Sequence, residues 1–294
     1  MARGVPGRGV SDGGFAAGAG VARAGTPEIT LRQSYGTVLS SRIRSQLSYR
    51  SSFAVNFVNA FLVGALEFSE IYVLLANAPT LGGLTFLQAA LVFALANLGF
   101  SLADLVFGQI DQVPQYIREG TLEAFLVRPQ PLLAQMVTAD FQLRRAGRAL
   151  FALLVLLVVL SRADLDLSPS TVYLLLLTPV TGFAIYGALF VLAGGVQFFL
   201  VDGAEFTNAF VYGSAYAGQV PGSVLLLPVR VLFTFVVPAT IASYLPALLI
   251  LGLPGPPWLP SWLGWFAPIF AVWIWLLAAL AWRTGVRRYT GAGG

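Results

Sequence analysis

The chain has 294 residues, of which 57% are hydrophobic and 10% charged, and its mean hydropathy is +0.79. That much apolar surface exceeds what one soluble core buries, and several apolar stretches approach the ~20 residues a helix needs to cross ~30 Å of hydrocarbon. All seventeen basic residues are arginine, and lysine, cysteine and histidine are absent. Disulfides, metal–thiolate centres, Ser-His-Asp triads and cysteine nucleophiles are thereby excluded, as is a GxxxxGK[ST] phosphate loop with its lysine. The net charge of +4 does not point to nucleic acid, because the arginines flank apolar stretches instead of forming a continuous basic face.

In chain order, residues 1–27 read as a disordered Gly/Ala/Arg tail, with Arg3, Arg8 and Arg23 but without the apolar region of a secretory signal. Residues 28–52 suit an amphipathic helix lying on the cytoplasmic face of an anionic leaflet. A first span is predicted over 53–75 and a second over 86–107, joined by an uncharged turn containing Gly82-Gly83. Residues 109–148 form a long polar interval on one aqueous side. The third span, with its core at 149–160, is short, so Arg148 and Arg145 are expected to snorkel toward the headgroups. A fourth span over 173–200 contains Pro179 and is expected to kink.

A polar loop over 202–222 leads to 225–253, where Pro228, Pro238 and Pro246 favour a helix plus a re-entrant piece over one straight helix. The last span covers about 262–282, with Trp258, Trp262 and Trp265 as one interfacial belt and Trp282 as the other. Residues 53–288 thus read as an all-α membrane domain of six transmembrane helices, followed by a cytoplasmic tail over 289–294. The arginine distribution puts both termini, the 109–148 interval and the 202–230 loop inside, with Arg162 outside.

Ionisable groups within spans are functional suspects, because an unpaired charge in hydrocarbon is costly. Glu67 and Glu70, three apart on one face of the first span, and Asp104, toward the inner end of the second, are candidates for a translocation path. The plainer alternative has Glu70 and Asp104 reaching the two interfaces. Asn56, Asn59 and Asn97 read as interhelical hydrogen-bond groups, Asn97 also being a candidate for the path. No set of residues suggests a metal site or a catalytic group. In the polar interval, Gly120 stops one helix, and Thr121, Leu122, Phe125 and Leu126 outline a short amphipathic helix bounded by Pro129.

The stretch Arg118-Glu119-Gly120-Thr121-Leu122-Glu123 with Leu126-Val127-Arg128-Pro129 resembles the R-x-G-[TS]-L-[DE]-x-x-L-x-R-P motif of bacterial ABC-2 family permeases. Leu81-Gly82-Gly83-Leu84-Thr85, Asp140-Phe141-Gln142-Leu143-Arg144-Arg145, Val237-Pro238-Ala239, Tyr244-Leu245-Pro246-Ala247 and the closing Arg288-Tyr289-Thr290-Gly291-Ala292-Gly293 support it. The first 27 residues and Leu84, where an aromatic is usual, depart from the pattern. The resemblance implies a type V exporter-like permease half in the bacterial plasma membrane, multi-pass with both termini cytoplasmic and a re-entrant segment before the last span. The implied partners are two ABC ATP-binding subunits and a second permease, identical or paralogous, with membrane lipid around them and a hydrophobic or amphipathic small molecule as substrate.

ATP and Mg would sit on the partner ATPase, with no cofactor on this chain and no enzymatic activity of its own. The coupling helix implied between spans two and three falls on Gln115, Arg118, Glu119, Gly120, Thr121, Leu122, Glu123, Phe125, Leu126, Arg128 and Pro129. Leu122, Phe125 and Leu126 would then dock in an ATPase groove. A proton-coupled secondary transporter working through Glu67 or Asp104 is the alternative, and a structural membrane subunit is a third reading.

Overall fold

A computed structural model describes residues 40–41, 43–139, 141–200, 205 and 208–291. The expected 1–27 tail and most of the expected interfacial helix lie outside the described residues; of the latter, 40–41 and 43–48 are helical. The described residues form helices and turns with no strand, an all-α membrane architecture.

The first long helix, α1, is Arg50–Asn77; it ends where Ala78 turns extended before Pro79, as a residue preceding proline prefers. Leu81 and Leu84 exchange backbone hydrogen bonds around Gly82 (φ 59°) and Gly83 (φ 88°), a two-residue reversal that needs two left-handed residues. Thr85 and Gln88 then form a reciprocal cap that starts α2, Phe86–Phe107. This helix is the buried centre of the bundle, with Ala89 to Ser101 almost wholly covered by protein.

Three short helices follow: α3 (Val113–Arg118), α4 (Leu122–Leu126) and α5 (Leu132–Ala139). Then come α6 (Ala146–Arg162) and α7 (Pro169–Gln197), the latter capped by the Ser168 hydroxyl and carrying Pro179 inside. A π-helical turn over Asn208–Tyr212 leads into α8, Gly213–Gln219. A bent pair comes next: α9 (Leu227–Val231) with a π turn to Val236, then α10 (Ala239–Ala242) and α11 (Tyr244–Ile250). The last helix, α12 (Ala267–Arg288), follows a 3-10 stretch over Ser261–Phe266.

Among the described residues, four helices are long and apolar enough to cross a membrane, or five if the pair Leu227–Val236 and Ala239–Ile250, bent by 62°, counts as one. The helix α6 has 17 residues, about 25 Å at 1.5 Å per residue, slightly less than the hydrocarbon thickness. The expected break at the proline-rich 225–253 stretch is therefore present as a bend at Val237-Pro238.

Two features revise the expected layout. The 202–230 stretch is not one loop at one end of the bundle. Tyr212 hydrogen-bonds Asp111 just past α2, whereas the Ser223 hydroxyl donates to the Gly82 carbonyl at 3.0 Å, so residues 212–223 run from one end toward the other. Arg230 consequently lies at the Gly82 end, donating to the Ser223 and Leu225 carbonyls and standing 4.8 Å from the Trp258 ring. The reason is packing: Ser214, Ala215, Ala217 and Gly218 are small and buried, so this helix hides within protein and needs no long apolar run.

Helices α2 and α7 pack backbone to backbone at Gly99 and Gly182, where a Cβ on Gly99 would stand 3.0 Å from the Gly182 Cα. Backbone faces backbone here, so neither side can yield by rotating a side chain. Gly99→Val should therefore lower thermal stability of the detergent-solubilised chain by about 1–3 kcal/mol, the usual cost of overpacking. An unchanged unfolding midpoint would show that the two helices separate freely.

Candidate functional site

The acidic residues of the spans are not isolated. Glu67 on α1 faces Arg148 on α6, with Arg148 Nη2 2.5 Å from both carboxylate oxygens. Asn97 on α2 bridges the two: its Nδ2 donates to Glu67 Oε2 at 3.1 Å and its Oδ1 accepts from Arg148 Nε at 3.1 Å. The Ser101 hydroxyl also donates to Asn97 Oδ1, and Gln219 at the end of α8 reaches Glu67 Oε2 at 3.5 Å. The Arg148 guanidinium lies 4.9 Å from the Phe100 ring centroid. Four helices thus share one polar knot in which both charges are paired and hydrogen-bonded, the condition under which burying them is tolerable.

Glu70, one turn further along α1, accepts from the Tyr216 hydroxyl at 2.9 Å and stays exposed. Both acids on that face of α1 therefore meet α8. Of the three asparagines, only Asn97 bonds between helices: Asn56 donates to Ser52 in its own helix, and Asn59 is exposed.

A second pair, Asp104 with Arg145, sits one turn from the end of α2. Arg145 also donates to Gln142 Oε1 at 3.3 Å, Gln142 to Gln109 at 3.2 Å, and Gln109 to the Tyr116 hydroxyl at 3.2 Å. The Tyr116 ring stands 5.5 Å from Phe125. An unbroken line of polar and ring contacts thus joins α3 and α4 to the start of α6. Arg145 and Arg148 were expected to snorkel to headgroups; instead both turn into the bundle, because buried carboxylates offer them stronger partners than water at the interface. Sequence reasoning missed them because the pairings span 41 and 81 residues.

The motif region forms two short helices, one on either side of Gly120. Gly120 (φ 67°) breaks them apart, a backbone setting that glycine takes at no cost. Gln115 donates to Glu119 at 2.7 Å on the first helix. Thr121 precedes the second without capping it, donating instead to the Tyr116 carbonyl at 3.4 Å.

The docking face expected from Leu122 and Phe125 needs correction. Leu122 is 0% exposed, held in a core with Ile110, Val113, Ile117 and Met136, and Phe125 is half-buried against Tyr116. These two attach α4 to its own protein. The exposed edge is Leu126 at 41% and Val127 at 87%, together with Glu123, Arg128 and Pro129; Arg128 lies 5.9 Å from the Phe125 ring. Arg118 and Glu119 are also exposed. The chain's end returns here: Gly291 (φ 93°) lies beside the Glu123 carboxylate, and Tyr289 packs on Phe198.

Among the described residues, no cluster of three or more His, Asp or Glu side chains is arranged to hold a metal. An apolar groove of about 330 Å³ lies between α1, α2 and α6. No curated protein and no solved structure matches the chain. The family described as "ABC-2 family transporter protein" matches residues 61–293, which takes in both ion pairs, the Gly120 motif and the closing Tyr289–Gly291. The match covers most of the sequence, and the chain accordingly belongs to the ABC-2 transporter family, as an all-helical membrane permease.

Proposed function

We propose that the chain is the permease subunit of an ATP-driven exporter in the bacterial plasma membrane, forming half of the translocation path with a second permease, identical or paralogous. ATP and Mg bind separate ATPase subunits, and the substrate is a hydrophobic or amphipathic small molecule. Both termini and the helices α3–α5 face the cytoplasm, the side on which the arginines gather. The six-span count belongs to the same reading, with α6 and the 208–219 segment supplying the shorter crossings.

The observation that carries the coupling is mechanical continuity. Helix α2 runs into α3 as one helical rod, Phe86–Arg118, and α4 is bound to that rod by Leu122 and by the Tyr116–Phe125 ring contact. A ligand moves an equilibrium only through contacts that differ between two states. ATP bound to a partner reaches the spans only through such a rod, so closure of an ATPase groove on the exposed edge of α4 would tilt α2. The alternative of proton coupling requires Glu67 or Asp104 to exchange protons with water, and both are occupied by arginines.

The test is assembly. Coexpressed with an ABC ATP-binding subunit from the same gene neighbourhood, the tagged chain should retain that subunit through purification. Inverted vesicles should then accumulate a lipophilic dye on ATP addition. A chain that retains no ATPase, and vesicles that respond instead to a proton gradient, would overturn this reading in favour of secondary transport.

A further inference from the structure

A cleft of about 390 Å³ opens where the pre-span helical residues meet α1 and the turn before α6. Its walls include Ser45, Tyr49, Ser52, Asn56 and Arg144, and its floor includes Phe53. The opposite wall is fixed by Gln46, whose amide nitrogen donates to the Phe141 carbonyl and whose Oε1 accepts from the Leu143 N–H at 2.9 Å. Arg144 is steadied by Gln142, whose Oε1 accepts from Arg144 Nη2 at 2.5 Å, and Gln142 is itself bonded to Gln109 and Arg145. The guanidinium is therefore presented from an ordered frame, yet remains exposed.

Among the described residues it makes no ion pair. The ion pairs among the described residues employ Arg145 and Arg148, and no carboxylate lines the cleft. The Ser45 and Tyr49 hydroxyls likewise have no protein acceptor among the described residues. The depth also matters: Gly147 packs on the Phe57 backbone, and Arg144, three residues earlier, shares the cleft with Ser52 and Phe53 in the first turn of α1. Below the mouth, Phe53 and Phe57 continue down α1 with ring centroids 5.8 Å apart. A cationic, hydroxyl-lined mouth above a phenyl floor, at the end of a membrane span, has the polarity profile of a phospholipid at the headgroup boundary.

We propose that this cleft binds the headgroup of an anionic phospholipid, with Arg144 on the phosphate, Ser45 and Ser52 as hydroxyl donors, and Phe53 beneath the glycerol and first acyl carbons. Anionic lipid fits better than zwitterionic, because among the described residues lining the cleft a headgroup ammonium would find no carboxylate. Arginine suits the role through its planar array of N–H donors, which can take two phosphate oxygens at once.

The test uses the full chain in detergent, titrated with phosphatidylglycerol or phosphatidylcholine of equal chain length and read by native mass spectrometry. The wild type should retain phosphatidylglycerol over phosphatidylcholine by about fivefold, the factor one arginine near a charged leaflet contributes. Arg144→Gln should erase that preference, Ser52→Val should weaken it, and Arg162→Gln, an exposed arginine at the other end of α6, should leave it intact. Equal retention of the two lipids by wild type, or an Arg144→Gln protein with undiminished preference, would overturn the proposal. Displacement of the lipid by millimolar sn-glycerol 3-phosphate would likewise overturn it, by identifying a soluble phosphate-ester site.

Discussion

Arg148→Leu should leave the chain barely folded, whereas Glu67→Leu combined with Arg148→Leu should recover most of the lost stability. The single change removes the cation paired with the Glu67 carboxylate and leaves it to Asn97 and Gln219. Removing one partner of a buried ion pair costs about 3–5 kcal/mol, while replacing both by apolar residues of similar volume is often neutral. Against a total stability of about 5–15 kcal/mol, the single loss is large. The Phe100 ring and the Asn97 carbonyl oxygen would also lose their cation in both variants, so the double variant should not quite reach wild type.

The measurement is the unfolding midpoint in detergent, together with the monodisperse fraction on size exclusion. A single variant as stable as wild type would mean that water or lipid headgroups solvate Glu67, and the knot would lose its structural role. A double variant as poor as the single would place the cost in Arg148's packing and not in charge.

The same knot shows what a sequence reveals and what it withholds. The span 86–107 could be delimited to the residue, since a glycine pair with a capping box opens it and a polar interval closes it, all local signals. Glu67 and Asp104 could be marked as suspects from hydrophobic context alone. Their partners could not, because Arg145 and Arg148 look like ordinary interfacial cations until α6 is laid against α1 and α2. The segment 208–219 escaped for a related reason: hydropathy detects helices solvated by lipid, and this one is solvated by Tyr186, Phe190 and α10.

In the motif, the amphipathic pattern correctly separated Leu122 and Phe125 from the charged positions. It could not say that their apolar face would be spent on Met136 and Tyr116 instead of on a partner. Periodicity identifies a face that is covered, and only the fold identifies the cover.

That distinction sets the second large effect. Val127→Asp together with Leu126→Asp should abolish retention of the ATPase subunit while the permease itself stays folded. At 87% and 41% exposure, the two side chains contribute little to the chain's own core, and substitutions at such positions usually change stability by less than about 0.5 kcal/mol. In an interface, a desolvated apolar anchor contributes about 2 kcal/mol or more, so two buried charges should weaken assembly by well over tenfold. Leu122→Asp should behave in the opposite order. It puts a charge into a site with no exposure, unfolds the α3–α4 unit, and lowers the unfolding midpoint before any partner is added.

Comparing the two variants for midpoint and for ATPase retention separates anchoring from docking. If Val127→Asp with Leu126→Asp retains the ATPase at wild-type levels, the edge of α4 is not the contact. The exposed charged residues of the motif, Arg118, Glu119, Glu123 and Arg128, would then be the remaining features through which force could enter α2.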